Sequence, residues 1–338
     1  MTNRWILGCV LVCSLVTAGS AAAAGCLDGP LVGVNLAGAE FNSKKLPGVM
    51  NKDYVYPAAD DVAYFAQKGA TAIRLPFRWE RAQPTLMGEL DTAEMTAIDK
   101  TIAAASVHGL CVILDAHNYA TYRGLAIGSE DVPNAAFVDF WTRMGKRFPD
   151  ADRVAFGLMN EPKQLLIAQW AELAQTTVQN LRSAGVQNLL MVSGGRWSGV
   201  HEWSKVFSGT SNAVAFAGFT DPLDRSLIEV HQYADANFSG TGTECQPPER
   251  FDNMFALIAD WARANNKKLF LGEFGTPANE PCLATLDHLL SLSSDRNVWR
   301  GWTYWAAGRW WGSYPLSIHP KSGVDAPQMG VVSKYLGR

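Results

Sequence analysis

The stretch Val154-Ala155-Phe156-Gly157-Leu158-Met159-Asn160-Glu161-Pro162 runs apolar or glycine through Met159, then stops on an amide, a carboxylate and a proline. A run this short, without helical spacing and without polar alternation, reads as a parallel strand buried on both faces. Working outward, the same signature recurs at Leu31–Leu36, Thr71–Pro76, Leu110–Asp115, Leu189–Ser193, Leu227–His231, Leu269–Gly272 and Arg300–Tyr304, making eight runs in all. Amphipathic segments lie between them, at Asp60–Gln67, Asp91–His108, Ala135–Arg147, Gln164–Ala184, Pro248–Asn265 and Cys282–Leu292. In the second of these Met95, Ile98, Ile102 and Ala105 share one face, and Gly109 supplies a helix stop. Strand and then helix, repeated around one core, predicts the α/β class: a single-domain (β/α)₈ TIM barrel. An open doubly wound sheet would begin with a Gly-rich phosphate turn, and Asn35-Leu36-Ala37-Gly38-Ala39 is not one.

Composition narrows the partners. The 338 residues are 48% hydrophobic and 18% charged, with a net charge of −3. Lys44-Lys45 and Lys267-Lys268 read as solvated surface, so neither nucleic acid nor a membrane is an expected partner. A neutral polymer is compatible with this charge. Arg4 followed by the mostly apolar Trp5–Ala18 and the small residues up to Gly25 has the form of a secretory signal peptide. The expected division is residues 1–24 as signal peptide and residues 25–338 as the catalytic domain. The apolar run is too short for an ordinary membrane anchor. Lipid attachment at Cys26 is the alternative: Gly25 fits it, whereas Ala23 stands where a larger aliphatic residue is usual. Export permits disulfides. Cys245 and Cys282 each follow a predicted strand on the loop side, so a bridge between them is expected. Whether Cys111, at the start of a buried strand, pairs with Cys26 or stays a free thiol is not decided by the sequence.

In such a barrel, residues just past the strand C-termini line the active-site mouth. Here those positions carry Asn35, Arg74, His117-Asn118-Tyr119, Asn160-Glu161, Arg196-Trp197, His231-Gln232-Tyr233, Glu273 and Trp305. An ionised Glu at the end of a buried strand costs desolvation unless it is paired. Glu161 and Glu273 end the fourth and seventh runs, so they should face each other across the mouth. Opposed carboxylates flanking a bond are what glycosidic cleavage requires: one protonates the leaving oxygen, the other attacks or activates water. The bland alternative puts each Glu in its own salt bridge. Arg74 within Ala72-Ile73-Arg74-Leu75-Pro76 suits holding a nucleophilic carboxylate, or else forms a purely structural ion pair.

Taken together, these residues resemble glycoside hydrolase family 5, the large cellulase family of retaining enzymes. The resemblance spans about residues 31 to 336, and the family's set of an Arg, two His, an Asn-Glu pair, a Tyr, a second Glu and a Trp has counterparts in order at Arg74, His117, Asn160, Glu161, His231, Tyr233, Glu273 and Trp305. It implies Glu161 as general acid/base and Glu273 as nucleophile, with Arg74 and Tyr233 positioning Glu273. It further implies Asn160 on the sugar 2-hydroxyl, His231 beside Glu161, His117 on the same sugar, Trp305 as its stacking floor and a cis Trp305–Ala306 peptide. Asn35, Asn118, Tyr119, Trp197 and Trp310 complete the expected substrate-binding set, while Trp141, Trp170 and Trp261 sit on helical patterns and are assigned to packing.

Other barrel chemistries lack their residues. There is no H-x-H or H-E-x-x-H for a metal, no strand-end Lys for a Schiff base and no G-x-S-x-G. Neither a metal nor another cofactor is expected. The expectation is a secreted, monomeric endo-β-1,4-glucanase acting on cellulose and related β-glucans. The alternatives are another β-glycan (mannan, xyloglucan, mixed-linkage glucan or xylan) and a catalytically silent sugar-binding barrel.

Overall fold

The computed structural model describes residues 25–337, so the signal segment expected over residues 1–24 lies outside the described residues. Eight parallel strands close into one barrel. They are β1 (Leu31–Leu36), β2 (Ala72–Phe77), β3 (Cys111–Ala116), β4 (Val154–Gly157), β5 (Leu190–Ser193), β6 (Ser226–His231), β7 (Leu269–Glu273) and β8 (Trp299–Ala307). Every strand bound lies within three residues of its expected place. The surrounding helices are α1 (Ala59–Gln67), α2 (Thr92–Ser106), α3 (Asn134–Arg147), α4 (Ile167–Ser183), α5 (Asn212–Ala215), α6 (Asp252–Ala264), α7 (Glu280–Leu292) and α8 (Met329–Val332).

Two connections depart from the expected alternation. After β5 the chain makes only a short turn at Val200–Glu202 and the single-turn α5, and after β8 only the single-turn α8. Instead of an amphipathic helix, Trp203, Phe216 and Phe219 cover the barrel beside β5, all buried. Trp203 packs edge-on against Trp261 of α6, with centroids 4.9 Å apart. An additional small antiparallel pair, Thr121–Tyr122 with Leu125–Ala126, stands above β3.

What the barrel encloses follows from strand geometry. Side chains alternate faces along a strand, so positions two apart share the interior. The lower interior is a compact apolar layer of Leu31, Ala72, Cys111, Ile113, Ala155, Leu189, Met191, Leu227 and Phe270. Two residues further along β2, β3 and β6, and four along β1, the same face carries Arg74, Asp115, Glu229 and Asn35, all buried. The barrel thus has an oily floor and a charged ceiling. Outside the strands a second apolar cluster packs against the helices, with Trp141 and Trp170 fully buried in it.

The expected Cys245–Cys282 bridge is present and ties the loop after β6 to the start of α7. The undecided pair also closes: Cys26 is bonded to Cys111, clamping the chain before β1 to the base of β3. A sulfur committed to this bridge is not available for a thioether, which corrects the alternative of lipid attachment at Cys26. Among the described residues no helix is long and apolar enough to cross a membrane.

The Cys26–Cys111 bridge spans a sequence separation of 85 residues. A double Cys26→Ser/Cys111→Ser variant is expected to lose about 2–4 kcal/mol of stability. A lower urea midpoint is the expected result, with a steeper denaturant slope because the uncrosslinked denatured chain is less compact; an unmoved midpoint would remove the bridge from the stability of the fold.

Candidate active site

The ceiling of the barrel is organised by Arg74, which is fully buried. Its Nη1 donates to Asn35 Oδ1 at 2.8 Å and to Glu273 Oε1 at 2.9 Å. Its Nη2 donates to Asn160 Oδ1 at 2.9 Å and faces Glu229 Oε1 at 2.9 Å and Asp115 Oδ1 at 3.1 Å. Burial alone would lower the guanidinium's proton affinity, but Asp115, Glu229 and Glu273 raise it above its ordinary value. Residues of β1, β2, β3, β6 and β7, and of the loop after β4, therefore meet on one cation.

Glu273, the last residue of β7, is gripped on both oxygens: Arg74 holds Oε1 and the Tyr233 hydroxyl donates to Oε2 at 2.7 Å. Gly272 before it has a specific role, because a Cβ there would come 2.2 Å from Glu229 Oε1. Glu161 leaves β4 differently. Its backbone has φ of 41°, in the left-handed region that ordinary residues rarely occupy. Its carboxyl group meets His231, with Nδ1 2.9 Å from Oε1. Glu161, His231 and Glu273 each present an atom within 4.8 Å of the others, so the two carboxyl groups face each other closely. Burial raises the Glu161 carboxyl above its ordinary value, a push larger than the opposing effect of His231. Burial would likewise lower His231, yet Glu273, Glu161 and Glu229 together carry it up to about 10.

The second imidazole behaves oppositely. His117 Nδ1 lies 2.8 Å from Asp115 Oδ2, and its Nε2 faces the Tyr119 hydroxyl at 3.2 Å and Asn160 Nδ2 at 3.3 Å. Burial lowers His117 to about 3, so its contact with Asp115 is that of a neutral ring donating Nδ1–H rather than an ion pair. The Trp305 ring lies nearly parallel to it, with centroids 5.4 Å apart. The Trp305–Ala306 peptide is cis, as expected. Tyr119 and Trp197 stand edge to face, and the Lys163 ammonium lies 4.1 Å from the Trp197 ring centre. Trp197 is 42% exposed and offers an aromatic wall.

The structure thus gathers Arg74, His117, Asn160, Glu161, His231, Tyr233, Glu273 and Trp305 at one mouth. Two expectations are corrected. Asn35 is fully buried, and its Nδ2 donates to the carbonyls of Gly272, Thr303 and Tyr304, leaving no edge for a sugar. Asn118 is also fully buried; it accepts from Trp79 N–H and donates to Glu80 and to the Thr121 carbonyl. Trp310 stands exposed on the loop after β8, and the next residue, Trp311, packs edge-on to Trp305 at 5.8 Å. Sequence reasoning missed Glu229, although the signal was the one applied to Arg74: a charge inside an apolar run. It also missed Glu40, whose buried carboxyl accepts the Gly38 N–H and is pushed by burial up to about 8. A cavity of about 720 Å³ opens at the opposite end of the barrel between Leu27, Leu189, Leu227 and Arg300 and contains none of these residues.

Comparison with known proteins agrees with this geometry. The family model described as cellulase (glycosyl hydrolase family 5) matches residues 34–309. Endoglucanase gh5-1 of Neurospora crassa is 33% identical over 295 residues, covering 86% of this chain and 73% of that protein. A crystal structure of an endo-beta-1,4-glucanase from Xanthomonas axonopodis pv. citri superposes with a TM-score of 0.89 at 44% identity, over 91% of this chain and 99% of that one. A structure of XacCel5A in complex with cellopentaose gives 0.88 at 46% identity, over 90% and 99%.

The two buried imidazoles predict opposite pH effects on stability. Both titrate near 6.5 in the unfolded chain. Folded His117 takes up a proton only near 3, so its contribution is present above 6.5 and fades as pH falls towards 3. Folded His231 holds its proton to about 10, so its contribution is complete below 6.5 and is lost as pH rises through 10. Imidazole ¹⁵N spectra should show His117 neutral across the neutral range, and His231 with a hydrogen on Nε2 and no titration near 6.5. A His117 ring titrating near 6.5 would contradict the geometry.

Proposed function

The chain belongs to glycosyl hydrolase family 5, and from that premise we propose that it is a secreted endo-β-1,4-glucanase acting on cellulose and related β-glucans with retention of anomeric configuration. The observation that carries the reading is the pair Glu161 and Glu273, brought within 4.8 Å of each other in unlike environments. Retaining glycosidases set their carboxyl groups about 5–5.5 Å apart, whereas inverting ones leave room for a water at about 6.5–9.5 Å. The names of the Neurospora crassa and Xanthomonas axonopodis relatives support glucan as substrate, and the cellopentaose complex supports a cleft for several rings.

In this reading Glu273 attacks the anomeric carbon while Glu161 delivers its proton to the glycosidic oxygen. The bond to the leaving sugar breaks, and the glycosyl unit stays on Glu273 as an ester. Glu161, now ionised, takes a proton from water as that water attacks the same carbon and releases Glu273. Arg74 and Tyr233 fix the nucleophile, so little of its orientation must be found during the reaction. Asn160 keeps one amide N–H towards His117 and has the other for the sugar 2-hydroxyl. Trp305 lies under the reacting ring, stacking on the apolar CH face that sugars present, and Tyr119, Trp197 and Trp311 extend the aromatic wall. The protein acts as a monomer without a cofactor, after export and removal of residues 1–24; its two disulfides support export.

Reducing-end release from carboxymethyl-cellulose and barley β-glucan, with viscosity followed alongside, tests the activity. Glu273→Gln should reduce turnover by about 10⁴-fold or more while oligosaccharide binding and the fold persist. Near-normal turnover in that variant would remove Glu273 from the nucleophile's role, and activity confined to mannan or xylan would replace the substrate.

A further inference from the structure

Glu229 takes no part in the steps above, yet it is packed as closely as any residue of the site. It is 2% exposed, and Gly272, the residue before the nucleophile, must lack a Cβ to leave room for it. Its Oε1 lies 2.9 Å from Arg74 Nη2 and 3.1 Å from His231 Nε2. Arg74 and His231 hold this carboxyl group below its ordinary value despite its burial, so it is ionised and can only accept. Nε2 of His231 therefore carries a hydrogen. The other ring nitrogen, Nδ1, lies 2.9 Å from Glu161 Oε1 and 3.7 Å from Glu273 Oε2. Between Nδ1 and Glu161 there is room for one proton: an imidazolium donates it to the carboxylate, or a carboxylic acid donates it to the ring.

We infer that Glu229 is a positioning residue that fixes His231 with its hydrogen on Nε2 and thereby makes His231 Nδ1 and Glu161 a couple storing the catalytic proton. This rests on the reading of Glu161 as acid/base. When the glycosidic oxygen takes the proton, it leaves through Glu161 and the couple goes from one proton to none; hydrolysis of the ester returns one from water. Formation of the ester also cancels the charge of Glu273, which lowers the couple's proton affinity at the moment when Glu161 must hand over its proton. The remaining groups facing the couple are Arg74 of β2, Asp115 and His117 at the end of β3, Tyr119 beyond it, Tyr233 after β6 and Glu273 of β7. None of them touches Nε2; Glu229 does.

Glu229→Gln keeps the shape and an acceptor for Nε2–H but removes the charge. A buried negative charge beside the couple raises its proton affinity, so its loss must lower that affinity. The alkaline limb of kcat/KM on cello-oligosaccharides should move down by about one pH unit or more, and Glu229→Asp should restore much of it. On a dinitrophenyl cellobioside, whose leaving group needs no proton, the variant and the parent should have the same alkaline behaviour. A merely structural role would instead depress both substrates across the whole pH range. That result, or an unmoved alkaline limb, overturns the inference. Imidazole ¹⁵N spectra of the unmodified protein provide an independent check: Nε2 must be protonated, and a bare Nε2 overturns it without any variant. If the protein failed to cleave glucans altogether, the functional reading would fall while this spectrum still decided the role of Glu229.

Discussion

The buried guanidinium of Arg74 is the constraint around which the site is arranged. Removing such a cation from water is costly and is compensated only by close, well-oriented acceptors. Here Asn35, Asp115, Asn160, Glu229 and Glu273 all lie within 3.1 Å of its two terminal nitrogens. Because those acceptors come from strands around the barrel, the cation constrains register as well as charge. Slipping β2 by one residue would turn Arg74 out towards the helices and bring Ile73 into the polar ceiling. Taking away any one carboxylate would leave a buried imbalance of the kind that typically costs about 3–5 kcal/mol.

From that centre the two glutamates acquire different chemistries. Glu273 is met by a guanidinium on one oxygen and a phenol on the other, and is fixed as an oriented acceptor. Glu161 receives no such grip; it sits beyond the end of β4 in a left-handed conformation, with burial raising its proton affinity and His231 as its partner. In the proposed mechanism the same side-chain type thus serves as nucleophile or as acid, according to where its strand ends and what faces it. The two histidines repeat the lesson. His231 lies among three carboxylates and keeps its proton, whereas His117, against Asp115 but close to two arginines, is neutral.

Much of this was legible because barrel strands write their two faces at alternate positions. The runs ending in Glu161 and Glu273 gave the strands and the mouth together, and Arg74 stood out as a charge among apolar neighbours. The same parity, applied to Leu227-Ile228-Glu229-Val230-His231, places Glu229 on the interior face with His231. Other features depend on geometry that no spacing encodes. Asn35 and Asn118 occupy strand-end positions like those of substrate ligands, but each turns inward to satisfy buried backbone groups. Cys26 meets Cys111 because the chain before β1 crosses the barrel floor, where Cys26 N–H also donates to the Asp152 carbonyl. Which of Trp310 and Trp311 reaches Trp305 is set by the twist of one loop.

The chemistry and the walls of the cleft are consequently built from different materials. The reacting residues stand on strand ends, locked by a network with almost no solvent access, and a change there disturbs several strands at once. The aromatic walls stand on loops: Trp197 is 42% exposed, and Trp311 rests on the loop residues Phe41 and Tyr314 as well as on Trp305. A loop aromatic can be exchanged or moved without unpairing a buried charge, so the cost of change is low at the walls and high at the ceiling. Choice among β-linked glycans should therefore shift with the loops after β5 and β8, while the carboxylate pair and its proton store remain as they are.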